Sequence, residues 1–177
     1  PELEELVAGK IARGNIVGWF QGRMEFGPRA LGHRSILADA RHPGMKDLLN
    51  AKVKHREPFR PYAPLVLAEK ASEYFTLKNP SPFMLLAASV KDEKKMIIPS
   101  ATHEDGSARV QTVGRDTAPE LWQLLKAFEK ITGVPVILNT SFNLKGEPIV
   151  CAPDDAIRSF LASDMDCLVM EDIIVEK

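Results

Sequence analysis

Short apolar runs with strand character alternate along this chain with segments of helical periodicity. The strand-like runs are residues 15–21 (NIVGWFQ), 36–38, 64–68, 83–90, 109–113 (RVQTV), 134–139 (VPVILN) and 167–175. The helix-like segments are residues 3–13, 45–56, 71–74, 119–132 and 153–163. Interleaving of this kind predicts an α/β (α+β) fold in which helices flank a twisted, mixed sheet. The length, 177 residues without a linker or repeat, predicts a single domain over residues 1–177.

In two segments the apolar pattern predicts the direction of charged side chains. In residues 45–56 the apolar residues fall on one helical face, and on a wheel of 100° per residue Lys54 points away from that face, toward solvent. Pro58 is expected to end this helix. Strict alternation in residues 109–113 places Arg109 and Gln111 on the same side of a strand. Residues 91–95 (KDEKK) and 103–106 (HEDG) are predicted to be solvated turns.

Composition excludes several classes of protein. The chain is 45% hydrophobic and 27% charged, which is typical of a folded globular domain rather than a disordered tail. No apolar run is long enough to span a membrane, and the first residues lack the features of a secretory signal, so we expect a cytoplasmic protein without membrane partners. The first residues also lack an initiator Met, which suggests a start inside a longer polypeptide. Cys151 and Cys167 have no metal-site spacing and are predicted to be core residues.

Charge is distributed unevenly along the chain. The formal net charge is −1, but residues 23–60 contain nine Lys or Arg residues and four acids, a local charge of +5. The remainder is therefore acidic, and the segment predicts a cationic patch that binds an anionic ligand. For each single residue, a solvated surface position is the competing interpretation.

Common catalytic motifs are missing from the sequence. Residues 22–27 have the G-x-x-x-x-G skeleton of a phosphate loop, but Pro28 and Arg29 replace the Lys-Ser/Thr pair of that motif. Neither G-x-S-x-G nor H-E-x-x-H occurs, so serine-hydrolase and zinc-protease chemistry are not indicated. What remains is a group of arginines in loops fixed by glycine and proline, and arginine can hold two phosphate or carboxylate oxygens at once.

Four long motifs together identify a family resemblance. They are residues 18–39 (GWFQGRMEFGPRALGHRSILAD), 53–64 (VKHREPFRPYAP), 109–113 (RVQTV) and 133–150 (GVPVILNTSFNLKGEPIV). In this order they resemble the C-terminal domain of the NodU/CmcH-type carbamoyltransferases, which carbamoylate antibiotics and nodulation factors. The resemblance extends over nearly the whole chain.

The resemblance implies a YrdC-like domain that binds carbamoyl phosphate and ATP and forms a carbamoyl-adenylate. In that family an N-terminal, actin/chaperone-ATPase-like domain of the same polypeptide holds a metal site and transfers the carbamoyl group to a hydroxyl acceptor. ATP would act as a co-substrate with Mg²⁺, and this chain would lack the N-terminal domain and its metal. A transferase is therefore expected, of which this chain is the part that processes carbamoyl phosphate.

The resemblance also transfers six site residues, which are expected to converge on one pocket: Arg29, Lys54, Arg60, Arg109, Asn139 and Ser141. They are predicted both to bind carbamoyl phosphate and to carry its chemistry. Several cations suit a dianion, Asn139 can donate to and accept from the amide-like end, and Ser141 can donate to a phosphoryl oxygen. Residues that contact the nucleotide are not predicted, although four further polar residues lie in the same motifs, where a structural role competes with a nucleotide contact: Glu25, His33, Arg34 and Asn143.

Two other functions stay open at this level. YrdC-like domains include RNA-associated members, but aromatic residues make up only 7% of the chain and are not interleaved with the basic residues, so nucleic acid is not the expected partner. The other alternative is a non-catalytic, anion-binding module. The sequence does not decide the acceptor or the oligomeric state, and a homodimer is compatible with it.

Overall fold

A computed structural model describes residues 2–57 and 60–177 and contains one eight-stranded sheet. The strands are β1 (Val17–Phe20), β2 (Arg34–Asp39), β3 (Ala63–Leu67), β4 (Leu86–Ser89), β5 (Ser107–Val113), β6 (Val136–Ser141), β7 (Cys167–Met170) and β8 (Ile173–Glu176). Their order across the sheet is β4-β5-β3-β6-β2-β1-β7-β8. The pairs β1–β7 and β3–β5 are parallel and the other five pairs are antiparallel. The predicted mixed sheet is confirmed.

Helices pack on both faces of this sheet. The α-helices are α1 (Glu2–Ala12), α2 (Met45–Leu49), α3 (Ala71–Tyr74), α4 (Asp92–Lys95), α5 (Pro119–Thr132) and α6 (Pro153–Leu161). Apolar side chains of α1 and α5 pack with Ile137 of β6 in one core cluster, whereas α2 and α6 pack with Val136 and Leu138 in the other. Because successive side chains of β6 point to opposite faces of the sheet, this strand contributes to the core on both faces. No described helix has the length and apolar character needed to cross a membrane.

Helix α5 forms as its sequence predicts. Its buried stripe contains Leu121, Leu124, Leu125 and Phe128. Pro119 occupies the first turn, where its missing N–H has no intrahelical partner to lose, and Gly133 ends the helix with φ at +74°. The length and capping of this helix are therefore set by local sequence.

The helix predicted over residues 45–56 differs from its expected form. After Leu49 the chain continues as a π-helix, Asn50–Lys54, in which the N–H of His55 donates to the carbonyl of Asn50 at 2.6 Å. His55, with φ at 44°, turns the chain at its end. The wider turn changes which face each residue occupies. The predicted role of Pro58 as the helix stop falls outside the described residues.

Two smaller predictions are also corrected. Within residues 91–95, Asp92–Lys95 forms the one-turn helix α4 rather than an irregular turn, and a salt bridge of 2.7 Å joins Lys95 to Asp92 one turn away. Cys167 is buried as predicted, and burial raises the pKa of its thiol to about 11. Cys151 is exposed, because it lies in the loop before α6 rather than in a core element.

Candidate functional site

The loop between β1 and β2 is tied to three strands by successive backbone carbonyls. The carbonyl of Ala30 accepts from Nδ2 of Asn139 on β6 at 2.9 Å, and that of Leu31 accepts from Nε2 of Gln111 on β5 at 2.7 Å. The carbonyl of Gly32 accepts from Nε1 of Trp19 on β1 at 2.8 Å. The loop therefore has a fixed position over the sheet.

Glu25 satisfies the donors of the same loop. Its Oε1 accepts from the backbone N–H of Leu31 at 2.6 Å and of His33 at 2.8 Å. Through these contacts Glu25 holds the loop between β1 and β2 in place. Arg34 is also occupied: it is buried, donates to the carbonyls of Gln21 and Cys151, and lies over the Phe20 ring at 3.4 Å.

A small cavity of about 100 Å³ opens where this loop meets the ends of β3, β5 and β6. Its lining residues are Pro28, Arg29, Ala30, Arg56, Pro61, Tyr62, Ala63, Met84, Arg109, Asn139, Thr140 and Ser141. Four of the six sequence-predicted site residues are among them. The structure thus brings together side chains that are far apart in sequence.

The cavity is cationic. Arg29, Arg56 and Arg109 line it, and none of the carboxylates in residues 2–57 and 60–177 lies within 4 Å of these three guanidinium groups. Burial lowers the pKa of Arg109, and the positive charges of Arg29 and Arg56 lower it further. Nε of Arg109 is buried without a hydrogen-bond partner among the described groups. Three like charges around one small space favour the binding of an anion there.

Lys54 lies directly behind the cavity wall, not in solvent as the 100° wheel predicts. Its side chain is buried, and Nζ donates to the carbonyl of Asn143 at 2.9 Å, to Oδ1 of Asn143 at 2.8 Å and to the carbonyl of Ser141. The π-helix is the reason, because its extra residue per turn rotates Lys54 inward. Burial, and to a lesser extent Arg56, lowers the pKa of Lys54 to about 7.

Arg60 does not line the cavity. Its side chain is exposed, and Nε lies 3.3 Å from a carboxylate oxygen of Glu57. The cation that reaches the cavity from this segment is Arg56, four residues earlier, whose guanidinium lies 4.3 Å from the centroid of the Tyr62 ring. Sequence reasoning missed Arg56 because the turn at His55, which sets the direction of the following residues, leaves no signature in the motif.

Tyr62 supports Arg56 from the core. The Tyr62 hydroxyl donates to Oδ1 of Asn50 at 2.7 Å, and burial raises the Tyr62 pKa to about 12, so the hydroxyl stays protonated. Nε of Arg56 donates more weakly to the same oxygen, at 3.4 Å. Asn50 of the π-helix therefore orients both the ring and the guanidinium above it.

The polar residues of β6 present fewer free groups than the sequence suggests. Nδ2 of Asn139 donates to the carbonyl of Ala30 and to Oε1 of Gln111, so only its Oδ1 is left for a ligand. The expectation that Asn139 both donates and accepts is corrected accordingly. The hydroxyl of Ser141 donates to Oδ1 of Asn143 at 2.7 Å.

The predicted cationic patch divides into separate parts. Arg41 pairs with Asp39 at 2.7 Å and Lys52 with Asp166 at 3.4 Å, while Arg34 is buried among carbonyls. From residues 23–60, Arg29 and Arg56 reach the cavity, and Arg109 joins them from β5. The positive charge of the cavity is therefore assembled by the fold rather than by the basic segment as a whole.

A second, larger cleft lies on the other side of the loop. It has a volume of about 440 Å³ and is mostly apolar, with Phe26, Leu31 and Phe83 in its lining. Gln111 lines it as well, so this side chain separates the cleft from the cationic cavity, which Asn139 lines.

Comparison with known proteins places this chain in a family. Residues 8–177 match the family model described as carbamoyltransferase C-terminus. The chain belongs to this carbamoyltransferase family. It is 48% identical to nodulation protein NolO of Bradyrhizobium diazoefficiens over 179 residues, which are 99% of this chain and 33% of the relative. Over 136 residues it is also 48% identical to nodulation protein U of Rhizobium tropici, covering 77% of this chain and 24% of that protein.

Solved structures confirm the YrdC-like fold. Full-length HypF in its phosphate- and nucleotide-bound form matches with a TM-score of 0.66 and 17% identity, covering 96% of this chain and 25% of that chain. Sua5 of P. abyssi complexed with L-threonine matches with a TM-score of 0.65 and 15% identity, covering 95% and 46%. At these identities the likeness concerns the fold. This carbamoyltransferase domain spans a third or less of its named relatives' length.

Proposed function

We propose that this domain binds carbamoyl phosphate in the cationic cavity and, with Mg-ATP, forms a carbamoyl-adenylate for O-carbamoylation of a hydroxyl acceptor. The observation that carries the proposal is the set of three guanidinium groups around about 100 Å³ with no carboxylate of the described chain to neutralise them. Carbamoyl phosphate carries the negative charge that the cavity lacks and is small enough for a cavity of about 100 Å³. The HypF relative in fold was solved with phosphate and nucleotide bound, which supports this choice of ligand class.

Each lining group has a part in the proposed binding. Arg29, Arg56 and Arg109 hold the phosphoryl oxygens and stabilise the charge on phosphate as it leaves. Ser141 lines the cavity and Lys54 lies behind it, and their hydrogen bonds hold the segment at residues 141–143 in place. Oδ1 of Asn139 accepts from the carbamoyl end. Arg60 lies outside this set, because its side chain is exposed beside Glu57.

The proposed reaction needs no nucleophile from the protein. Water cleaves carbamoyl phosphate to carbamate and phosphate, and a carbamate oxygen then attacks the α-phosphorus of ATP, so that the bond to pyrophosphate breaks. The products are carbamoyl-AMP and pyrophosphate. Fixed guanidinium groups are worth most where phosphate charge develops, and this is the contribution we assign to the cavity.

ATP is proposed to bind in the adjacent cleft. Its volume of about 440 Å³ lies in the range of small-molecule sites, and aromatic residues in its lining, Phe26 and Phe83, provide surfaces on which a base stacks. Arg23 is a cation in the same lining. Mg²⁺ enters with ATP, and among the described residues there is no cluster of three His, Cys, Asp or Glu side chains that could hold a metal. The metal site implied by the resemblance stays assigned to the proposed N-terminal domain.

Calorimetric titration with carbamoyl phosphate tests the proposed site. Removing one charged contact typically reduces binding by about 1.5 to 3 kcal/mol, so we expect Arg109→Gln to weaken affinity roughly tenfold or more. Arg115→Gln is the matched control, because Arg115 is exposed beside Trp122 and outside the cavity. Equal affinity of wild type and Arg109→Gln contradicts the site.

A further inference from the structure

Two buried side-chain amides are hydrogen-bonded to each other between the cationic cavity, which Asn139 lines, and the larger cleft, which Gln111 lines. Gln111 and Asn139 are 3% and 2% exposed. Nε2 of Gln111 donates to the carbonyl of Leu31 at 2.7 Å, and its Oε1 accepts from Nδ2 of Asn139 at 3.0 Å. The same Nδ2 donates to the carbonyl of Ala30 at 2.9 Å.

Two backbone carbonyls fix the direction of these two amides. A carbonyl oxygen only accepts, so the amide nitrogen of Gln111 must face Leu31 and that of Asn139 must face Ala30. Turning either amide over would place two oxygens in contact. With the nitrogen of Gln111 held outward, its oxygen points to Asn139 and takes the second N–H of that side chain.

The consequence is an unpaired acceptor in the cavity wall. Both N–H groups of Asn139 are used, and its Oδ1 is buried without a hydrogen-bond partner in the described chain. A buried polar atom without a partner is unfavourable, and a ligand donor at this position relieves that cost. A methyl group at the same position cannot donate a hydrogen bond, so Oδ1 of Asn139 stays unpaired.

The structure assigns to Gln111 the role of a positioning residue that determines specificity: it holds Asn139 with its oxygen toward the cavity, so that the site selects the amino group of carbamoyl phosphate over the methyl group of acetyl phosphate. This inference rests on the proposed function and adds the basis of its substrate choice. The two phosphates have the same shape and charge and differ in NH₂ against CH₃. Arginine contacts to the phosphoryl group cannot distinguish them, whereas Oδ1 of Asn139 can.

Titration of the wild-type domain with three ligands tests the inference: carbamoyl phosphate, acetyl phosphate and inorganic phosphate. We expect carbamoyl phosphate to bind at least about fivefold more tightly than acetyl phosphate, which corresponds to about 1 kcal/mol for one donor to a buried acceptor. Equal affinity for the two acyl phosphates overturns the selection by Asn139 but leaves the anion site standing. Failure of all three ligands to bind overturns the proposed function as well.

Two variants separate positioning from folding. Asn139→Ala removes the acceptor, so the affinity ratio of carbamoyl to acetyl phosphate is expected to fall to about 1. Gln111→Met keeps the side-chain length but removes one of the two acceptors that hold Nδ2 of Asn139. The affinity ratio of carbamoyl to acetyl phosphate is then expected to fall about threefold or more. Affinity for inorganic phosphate is expected to stay within about twofold. An unchanged ratio in Gln111→Met contradicts the role of Gln111. A parallel loss of affinity for all three ligands points to a structural role and also contradicts it.

Discussion

Lys54 is a buried amine whose neighbours are oxygens and an arginine rather than a carboxylate. Its pKa of about 7 lies well below the ordinary value of 10.5, because burial disfavours the charged form and Arg56 adds a like charge. A dianion in the adjacent cavity reverses the second effect, since negative charge nearby favours the ammonium. Anion binding should therefore raise the pKa of Lys54.

This reversal predicts proton uptake on binding. At pH 7.5 roughly three quarters of a group with a pKa near 7 is unprotonated, so carbamoyl phosphate should draw up to about 0.7 proton from the buffer. The number of protons taken up should shrink as the pH falls below 7, because Lys54 is then already protonated. The variant Lys54→Met should show no such uptake. Calorimetry in two buffers of different ionisation enthalpy measures this number. Proton release, or unchanged uptake in Lys54→Met, contradicts the assignment.

Arg56 and Arg60 give a second comparison at the level of single residues. Arg56 lines the cavity with its guanidinium over Tyr62, whereas Arg60 is exposed beside Glu57. Arg56→Lys keeps the charge but loses the planar fork, and we expect it to weaken carbamoyl-phosphate binding by about 1 to 3 kcal/mol. For Arg60→Lys we expect a change within about 0.5 kcal/mol. The reverse order in a titration would restore the choice of Arg60 made from the motif.

The loop at residues 22–33 is the element that shapes the site. Gly32 has φ at +114°, and a Cβ there would lie 2.5 Å from Cδ2 of Leu121 on α5. Gly27 in the same loop has φ at +142° but no heavy atom within 4 Å of a built Cβ. Both positions are strained for an L-residue, and only Gly32 adds a collision with the packed core.

Gly32→Ala should therefore lower the free energy of unfolding by about 1 to 3 kcal/mol more than Gly27→Ala. Denaturant unfolding of the two variants measures the difference. Gly32→Ala should also weaken ligand binding, because the neighbouring Ala30 and Leu31 supply the carbonyls that orient Asn139 and Gln111. Equal stability of the two variants would show that α5 does not hold this loop in place.

Periodicity predicts the regular elements of this chain and fails where hydrogen bonding departs from it. The stripe of α5 and the alternation of β5 depend only on local pattern, so both are found where the sequence places them. A wheel of 100° per residue assumes α-helical hydrogen bonds, and the π-helix at Asn50–Lys54 breaks that assumption. The outward prediction for Lys54 was wrong for that reason. The choice between Arg56 and Arg60 depends on the left-handed turn at His55, which a motif does not encode.

At the scale of the site, motif resemblance predicts which loops meet but not how their side chains are used. The structure brings Arg29, Arg109, Asn139 and Ser141 to one cavity, and their roles toward a ligand stay predictions. The donors of Asn139 are consumed by Ala30 and Gln111. That detail depends on the tertiary position of the loop and has no signature in a single sequence.

For the whole molecule, the central feature is that the chain spans a third or less of the length of its named relatives. The cavity proposed to bind carbamoyl phosphate lies within this chain, while the acceptor site is proposed to lie in an N-terminal domain of the same polypeptide. Binding and transfer should then separate. We expect the domain alone to bind carbamoyl phosphate and to leave hydroxyl acceptors unmodified.

Adenylate formation is the intermediate case. If ATP needs contacts from both domains, loss of positioning reduces its rate by orders of magnitude without affecting carbamoyl-phosphate binding. Mass spectrometry after incubation with carbamoyl phosphate, Mg-ATP and an acceptor measures carbamoyl-AMP and carbamoylated product for the domain alone and for the longer polypeptide. We expect little or no carbamoyl-AMP from the domain alone and both products from the longer form. Acceptor carbamoylation by the domain alone contradicts this division.

A crystal structure of the domain with carbamoyl phosphate is the most direct test of the proposed site. We expect the phosphoryl group between Arg29, Arg56 and Arg109, with the amino group within hydrogen-bonding distance of Oδ1 of Asn139. The larger groove of about 550 Å³ beside Trp122, between α1 and α5, serves as an internal comparison. Ligand density in that groove, or in the cleft of about 440 Å³, with the cationic cavity empty would contradict the proposed function.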